Sequence, residues 1–505
     1  MTANQTKYVM ALDLGTTGNR ALIFNSSGNV VAQVYKEFTQ HYPKPGWLEH
    51  DPNEIWQDTR TCMQQVLQEN NINANEIAAI GLTVQRETCL LWDKTTGMPL
   101  HNAIVWQDRR TANMCRQLIE QGKAPEINER TGLVLDAYFS ATKLAWLLDW
   151  VKRENPNINL DNVIAGTIDS WILWNLTGQQ VHATDASNAS RTMLMNISSQ
   201  EWDKQLLDLF GIPAHMMPQI KNSIGWFGKT DPALLGLEIP ITAIFGDQQA
   251  ALFAHGCDRP GMLKCTYGTG CFLISQSGEQ LTRSDNQLLS TVAWTQAANS
   301  HSSKTVNFAL EGAMFTTGAC IQWLRDGLQL IDSAPETEFL SQQVQDTNGV
   351  YFVPALSGLG APHWDMSARG AFLGITGGVK REHMVRAVLE SIAYQVKEVV
   401  VAMNKDGNNI ELLKVDGGAS QNNFLMQFQA DVLGIPVERP AILDATAQGA
   451  AFGAGLGIGF WDDYAKLVKN RQVDRVFEPG ADTVVAQTNF EKWIQAVERA
   501  KDWIE

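Results

Sequence analysis

Short apolar runs of strand length, each closed by Gly, Asn, Ser or Thr, open the chain. Runs 8–12, 21–24 and 30–35 are separated by D-L-G-T-T-G-N-R at 13–20 and N-S-S-G-N at 25–29. The pattern predicts three strands joined by tight turns, with Gly15, Thr16, Thr17 and Gly18 at a hairpin tip. Residues 261–275, G-M-L-K-C-T-Y-G-T-G-C-F-L-I-S, repeat the device in the second half. A third glycine-rich tip closes L-L-K-V-D-G-G-A-S at 412–420. Gly lets a backbone bend and approach a ligand, and consecutive N–H groups with nearby hydroxyls converge on an anion. Phosphates of one nucleotide between the two hairpins, with the base against the third tip, form a coherent arrangement. Neither a G-x-G-x-x-G nor a G-x-x-x-x-G-K-[ST] string occurs.

Between these tips, helical and strand patterns alternate. Asp51-Pro52-Asn53-Glu54 reads as a helix start with an Asp cap and Pro in the first turn. Run 77–84 reads as a buried strand ending in Q-R-E-T, which puts the charged Arg86–Glu87 pair at a strand end. Residues 103–110 read as a strand entering a charged helix start, and 138–148 as a helix capped by Ser140. Residues 221–237 read as a polar surface loop. Strand 241–247 runs into helix 248–255, so Asp247 sits where a carboxylate serves either as a cap or as a fixed general base. Gly, Asp and Pro at 256–261 place a domain boundary, giving domains 1–256 and 257–505. In the second domain, 312–324 reads as a helix with Gly318 and Gln322 on one face. Helices 381–404, 422–433 and an Ala/Gly-rich one from 445 follow. An amphipathic helix through Trp493 and Trp503 closes the chain.

Composition narrows the class. The 505 residues suffice for two large domains, and a formal charge of −15 disfavours nucleic acid or an acidic membrane as main partner. Seven scattered cysteines without a C-x-x-C pair suit a reduced, cytoplasmic setting and supply no metal site. No signal peptide is read at the start. The apolar stretch 445–461 is short and carries Gln448, so stable membrane insertion is not expected.

Several motifs in order, V-Q-R-E-T, A-I-V-W-Q-x-R-R, G-D-Q-Q-A-A-L-F, T-Y-G-T-G-C-F and V-D-G-G-A-S-Q-N-N-F among them, resemble the FGGY carbohydrate-kinase family. The resemblance covers nearly the whole chain. It implies an α/β, two-domain actin/hexokinase/Hsp70-type (ribonuclease H-like) fold with a central cleft. It also implies ATP and Mg²⁺ as cofactors, and glycerol as acceptor. Asp247 would be the general base, with Arg86, Glu87, Tyr138 and Gln248 binding hydroxyls, and Trp106 and Phe272 lining the carbon face. Thr16, Thr17, Gly18, Arg20 and Thr269 match phosphate positions. Gly318, Gln322, Gly418 and Asn422 match the adenosine end, and Asp13 matches the acid associated with Mg²⁺. Homo-oligomers are compatible with this reading.

The chain departs from the family where the first loop commonly reads D-Q-G-T-T-S-S-R: Leu14, Gly18 and Asn19 stand instead. Val84 replaces a usual Asn, and Asp108 a common Cys. These changes leave open an alternative, another FGGY kinase acting on a pentulose or related sugar. A non-enzymatic or chaperone-like ATPase on the same fold is the more distant reading.

Overall fold

The computed structural model describes residues 6–297, 305–441 and 444–504. Labels β1–β13 denote the strands of its largest sheet. The predicted opening meander is present as β1 (Tyr8–Leu14), β2 (Gly18–Asn25) and β3 (Val30–Glu37). Antiparallel pairing puts Leu14 opposite Asn19, which leaves residues 15–17 as the tip. Helix α1 (Pro52–Glu69) starts as its sequence predicts: the Asp51 carboxylate accepts from Asn53 N at 2.8 Å. The helix buries Ile55, Cys62, Met63 and Val66. Strand β4 (Ile77–Val84), buried at every position, lies parallel to β1, and β6 (Pro240–Gly246) lies parallel to β4.

The second half repeats this plan. Hairpin β7 (Met262–Tyr267)–β8 (Cys271–Gly278) is flanked by parallel β11 (Leu412–Asp416) and β12 (Val437–Pro440) on one side. On the other lies β10 (Thr305–Met314), antiparallel to β8, and beyond it β9 (Leu289–Gln296), antiparallel to β10. Strand β13 (Val473–Phe477) closes the far edge.

The halves meet edge to edge, so among the described residues their sheets run on as one of 13 strands. The joint is β5 (Ile224–Lys229), inside the stretch read from sequence as surface loop. Its polar residues and glycines hid a strand whose Ile224 and Phe227 are buried, and whose pairing with β6 is irregular. Among the described residues only Ile224 pairs with β9, opposite Gln296.

Other expectations shift. The strand at 103–110 is only Ala103–Ile104, and the next helix begins at Ala112. Asp108, meanwhile, is buried against Arg110 at 2.8 Å and accepts from Leu48 N at 2.6 Å. Helix α2 (Ser140–Glu154) begins at Ser140 rather than being capped by it: the hydroxyl donates to the Glu87 carbonyl at 2.8 Å. Residues 312–314 belong to β10, so the helix begins later, as α4 (Gly318–Gln322), and continues as a π-helix over Trp323–Gly327. Gly312 marks close packing, because a Cβ there would meet Val399 of α5 (Arg381–Lys405) at 2.4 Å. The closing helix α8 (Thr483–Ala500) buries Trp493, while Trp503 lies beyond it, exposed.

The Ala/Gly-rich run forms α7 (Ala445–Gly457), preceded by α6 (Asn423–Leu433). It crosses to the first half and packs on β4, β6 and α3 (Asp247–Ala254). Small residues make this approach attainable: a Cβ on Gly449 would lie 1.9 Å from the Ala250 carbonyl oxygen.

Candidate functional site

Strand ends β4 and β6 carry the charged side chains of the cleft. Arg86, two residues past β4, lies across Gly246, where a Cβ would meet its Cδ at 2.7 Å. Its Nε is 3.1 Å from Asp247 Oδ1, and that oxygen also accepts from Gln248 N at 2.7 Å. Asp247 is the open member of the cluster, with 28% of its side chain exposed against 2% for Arg86. The guanidinium makes a bidentate pair with Glu311 of β10, at 2.5 and 3.0 Å.

Glu87 adopts a left-handed backbone with φ of 63°, strain that such sites commonly hold. Its Oε1 accepts from Arg191 Nε at 2.7 Å, and Arg191 Nη2 reaches Glu311 Oε1 at 3.0 Å. Burial pushes the Glu87 carboxyl up, against the pull of Arg86 and Arg191. Burial also acts to raise Glu311, but Arg191 and Arg86 outweigh it and hold that carboxyl below its ordinary range. Tyr138 stacks edge-on against Trp106 with ring centroids 5.7 Å apart, and Trp106 meets Phe272 of β8 at 5.8 Å. Trp106, Phe272 and Thr269 share the lining of a cavity of about 430 Å³.

The first hairpin tip is closed by Gly15 N donating to Gly18 O at 3.0 Å. Gly18 has no room for a side chain: a Cβ would stand 2.6 Å from the Lys36 carbonyl oxygen and from the Tyr35 ring. Asn19 turns away from the cleft, its amide donating to Ile55 O at 2.8 Å. Leu14 and Val84 are core residues, and Asp108 belongs to its ion pair with Arg110, so these departures lie outside the acceptor cluster. Asp13 sits opposite Arg20 in the β1–β2 register and accepts from Thr446 Oγ1 of α7 at 2.9 Å. Burial raises its carboxyl to about 6, with Arg20 pulling the other way. Arg20 is paired with Asp444.

The second tip holds the start of α4. Gly268 O accepts from Gly318 N at 2.9 Å, and Thr269 O from Ala319 N at 3.1 Å. A Cβ on Gly318 would lie 2.6 Å from the Gly268 carbonyl oxygen, so glycine permits the contact. Gly417, beside Gly418, backs onto Tyr267 in the same way. Backbone contacts thus join the start of α4 at Gly318 to the tip at Thr269, and Thr269, Gln322 and Gly418 are exposed. Asn422 caps α6 through Leu425 N at 2.9 Å and donates to Thr337 at 3.1 Å.

The fold therefore gathers Asp247, Arg86, Glu87, Tyr138, Trp106 and Phe272 into one cluster. Gln248 turns inward instead, its amide oxygen accepting from the buried Lys264 at 2.5 Å. Sequence reading missed Glu311 and Arg191. An acid inside the apolar run F-A-L-E-G-A-M and an Arg among small residues in N-A-S-R-T were the available signals, because a buried charge demands a partner.

The FGGY family of carbohydrate kinases matches through its N-terminal domain over residues 8–254 and its C-terminal domain over 263–457. A glycerol kinase of Acaryochloris marina is 70% identical over 497 residues, covering 98% of this chain and 99% of that one. A glycerol kinase of Rippkaea orientalis is 67% identical over the full length of both. Plasmodium falciparum glycerol kinase, solved with ADP, superposes with a TM-score of 0.90 at 34% identity, covering 98% of each chain. A xylulose kinase from Lactobacillus acidophilus shares the fold, with a TM-score of 0.88 at 22% identity over 98% of each chain.

Proposed function

Because this chain belongs to the FGGY family of carbohydrate kinases, we propose the reaction its cleft serves best, ATP-dependent phosphorylation of glycerol to sn-glycerol 3-phosphate. The attacking terminal hydroxyl loses its proton to Asp247 as its oxygen bonds to the γ-phosphorus. The bond from that phosphorus to the bridging oxygen breaks, and ADP leaves. Such transfers demand little covalent chemistry from the protein, so positioning and charge stabilisation carry the rate.

Arg86 and Glu87 orient the hydroxyls beside Tyr138, while Trp106 and Phe272 face the three carbons. Gln248, its amide oxygen held by Lys264 at 2.5 Å, binds a hydroxyl through its amide N–H groups. Thr16, Thr17, Gly18, Arg20 and Thr269 line the phosphates, and Gly318, Gln322, Gly418 and Asn422 the adenosine end. The two domains divide at 256/257, with α7 reaching back across the division. Asp13 fits Mg²⁺: a buried carboxylate raised in pKa gains from a cation, and hard oxygen donors suit it. One carboxylate plus nucleotide phosphates is a usual magnesium set, and the ion neutralises phosphate charge when bound. The cytoplasm is the setting we assign; no helix among the described residues is long and apolar enough to cross a membrane.

The observation that carries the reading is Asp247, open to the cleft, 3.1 Å from an arginine whose other nitrogens are already fixed. A coupled ADP-release assay with glycerol, xylulose, ribulose and no acceptor tests it. Glycerol is expected to drive turnover. Faster turnover with a pentulose would move the assignment to another sugar kinase, and acceptor-independent turnover to an ATPase.

A further inference from the structure

We propose that Glu311 and Arg191 are positioning residues that aim Arg86 and Glu87 at the acceptor. The inference rests on the reading of Arg86 and Glu87 as acceptor ligands.

Neither residue can touch the acceptor itself, since both side chains are 0% exposed. Both work through neighbours. Glu311 takes both Nη groups of Arg86, at 2.5 and 3.0 Å. A guanidinium is planar, so a bidentate carboxylate fixes its plane as well as its place. The second N–H of Nη1 goes to Gln249 Oε1 at 3.3 Å, that of Nη2 meets Tyr138 Oη at 3.5 Å, and Nε–H faces Asp247 at 3.1 Å. Arg191 performs the matching task for Glu87, donating through Nε at 2.7 Å. Its Nη2 returns to Glu311 Oε1 at 3.0 Å, which links the two supports. Its guanidinium carbon lies 5.3 Å from the Phe139 ring centroid and 5.7 Å from that of Tyr138, so aromatic faces hold the remaining side.

Two positive and two negative charges thus alternate around a closed set with no net charge. Burying ions is costly, and well-packed apolar residues often stabilise a core equally well. Fixed direction is what the ionic set adds. It matters here because Glu87 is held in a left-handed conformation, and its carboxylate depends on outside anchors for its place. Glu311 also comes from β10, hydrogen-bonded to β8 of the second hairpin, whereas Arg86, Glu87 and Arg191 belong to the first half. The aim of the acceptor ligands is thereby referenced to the half that carries Thr269.

The test is steady-state kinetics of Glu311→Gln and Arg191→Lys, with melting temperature recorded for each. Glu311→Gln keeps the shape and removes the charge. It is expected to raise the KM for glycerol roughly 10- to 100-fold, with the KM for ATP changed less than about threefold. Arg191→Lys keeps the charge but loses the fork, and should give a smaller rise, roughly three- to tenfold, with the same selectivity for glycerol. A folded Glu311→Gln whose glycerol and ATP constants move together would overturn the proposal. Should Glu311→Gln fail to fold, Arg191→Lys decides alone, and an unchanged glycerol KM overturns it. Wild-type protein without glycerol-dependent turnover would instead remove the acceptor reading, and this proposal with it.

Discussion

The indole N–H of Trp106 donates to the Thr16 hydroxyl at 3.0 Å, tying the aromatic wall of the acceptor cluster to the first glycine hairpin. The two residues are 90 positions apart, so only the fold brings them together. Trp106→Phe keeps a ring against Tyr138 and Phe272 but frees the hydroxyl. A net hydrogen bond of about 1 kcal/mol corresponds to about fivefold. The variant should raise the KM for ATP as well as for glycerol by about that factor. A change confined to glycerol would mean that the wall and the hairpin act separately.

Asp247→Asn keeps the size of the side chain and its acceptor for Gln248 N, but cannot accept a proton. General-base loss typically lowers rate ~10²–10⁴-fold. The variant should fold, bind nucleotide in a calorimetric titration and lose turnover on that scale. Near-normal turnover with glycerol would reduce Asp247 to an element of the helix start.

Asp13 should leave a pH signature in stability. Burial lifts its carboxyl to about 6 from an ordinary 3.8, so between those values the folded chain binds the proton more tightly than the unfolded one. Its contribution therefore favours the fold at acid pH and is lost as pH rises through about 6. Above that, the buried charge costs on the order of 3 kcal/mol relative to acid. Without nucleotide or magnesium, Asp13→Asn should melt above the wild type at pH 8, and the gap should close toward about pH 4. A gap independent of pH would assign the effect to packing against Thr446.

The sheet joint suggests where the halves move. Among the described residues Ile224 opposite Gln296 is the single pairing between β5 and β9, so bending there breaks little of the ladder. Small-angle scattering with glycerol and a non-hydrolysable ATP analogue should give a smaller radius of gyration than the free protein. Closure of this kind excludes water from the transferred phosphoryl group. An unchanged radius would assign water exclusion to local loops.

Much of this protein was legible along the chain because its signals are local. Strand-length apolar runs around glycine tips gave both hairpins, since tight turns and strand alternation depend on near neighbours. The Asp51 cap, the span of β4 and the placing of Asp247 between strand and helix followed for the same reason. Ordered motifs then pointed to the family and to most of the cluster. Tertiary structure decided what depends on distant partners. Ile224–Lys229 became a sheet-joining strand because Ile224, Gly228 and Lys229 find partners on β6, and Ile224 one on β9, which no local pattern reports. Gly18 and Gly312 are fixed by what stands beside them, Lys36 and Val399. Gln248 was drawn inward by Lys264, 16 residues on, because a buried ammonium needs an acceptor. Arg86 found Glu311 225 positions away, for the converse reason that two buried charges are tolerable only together.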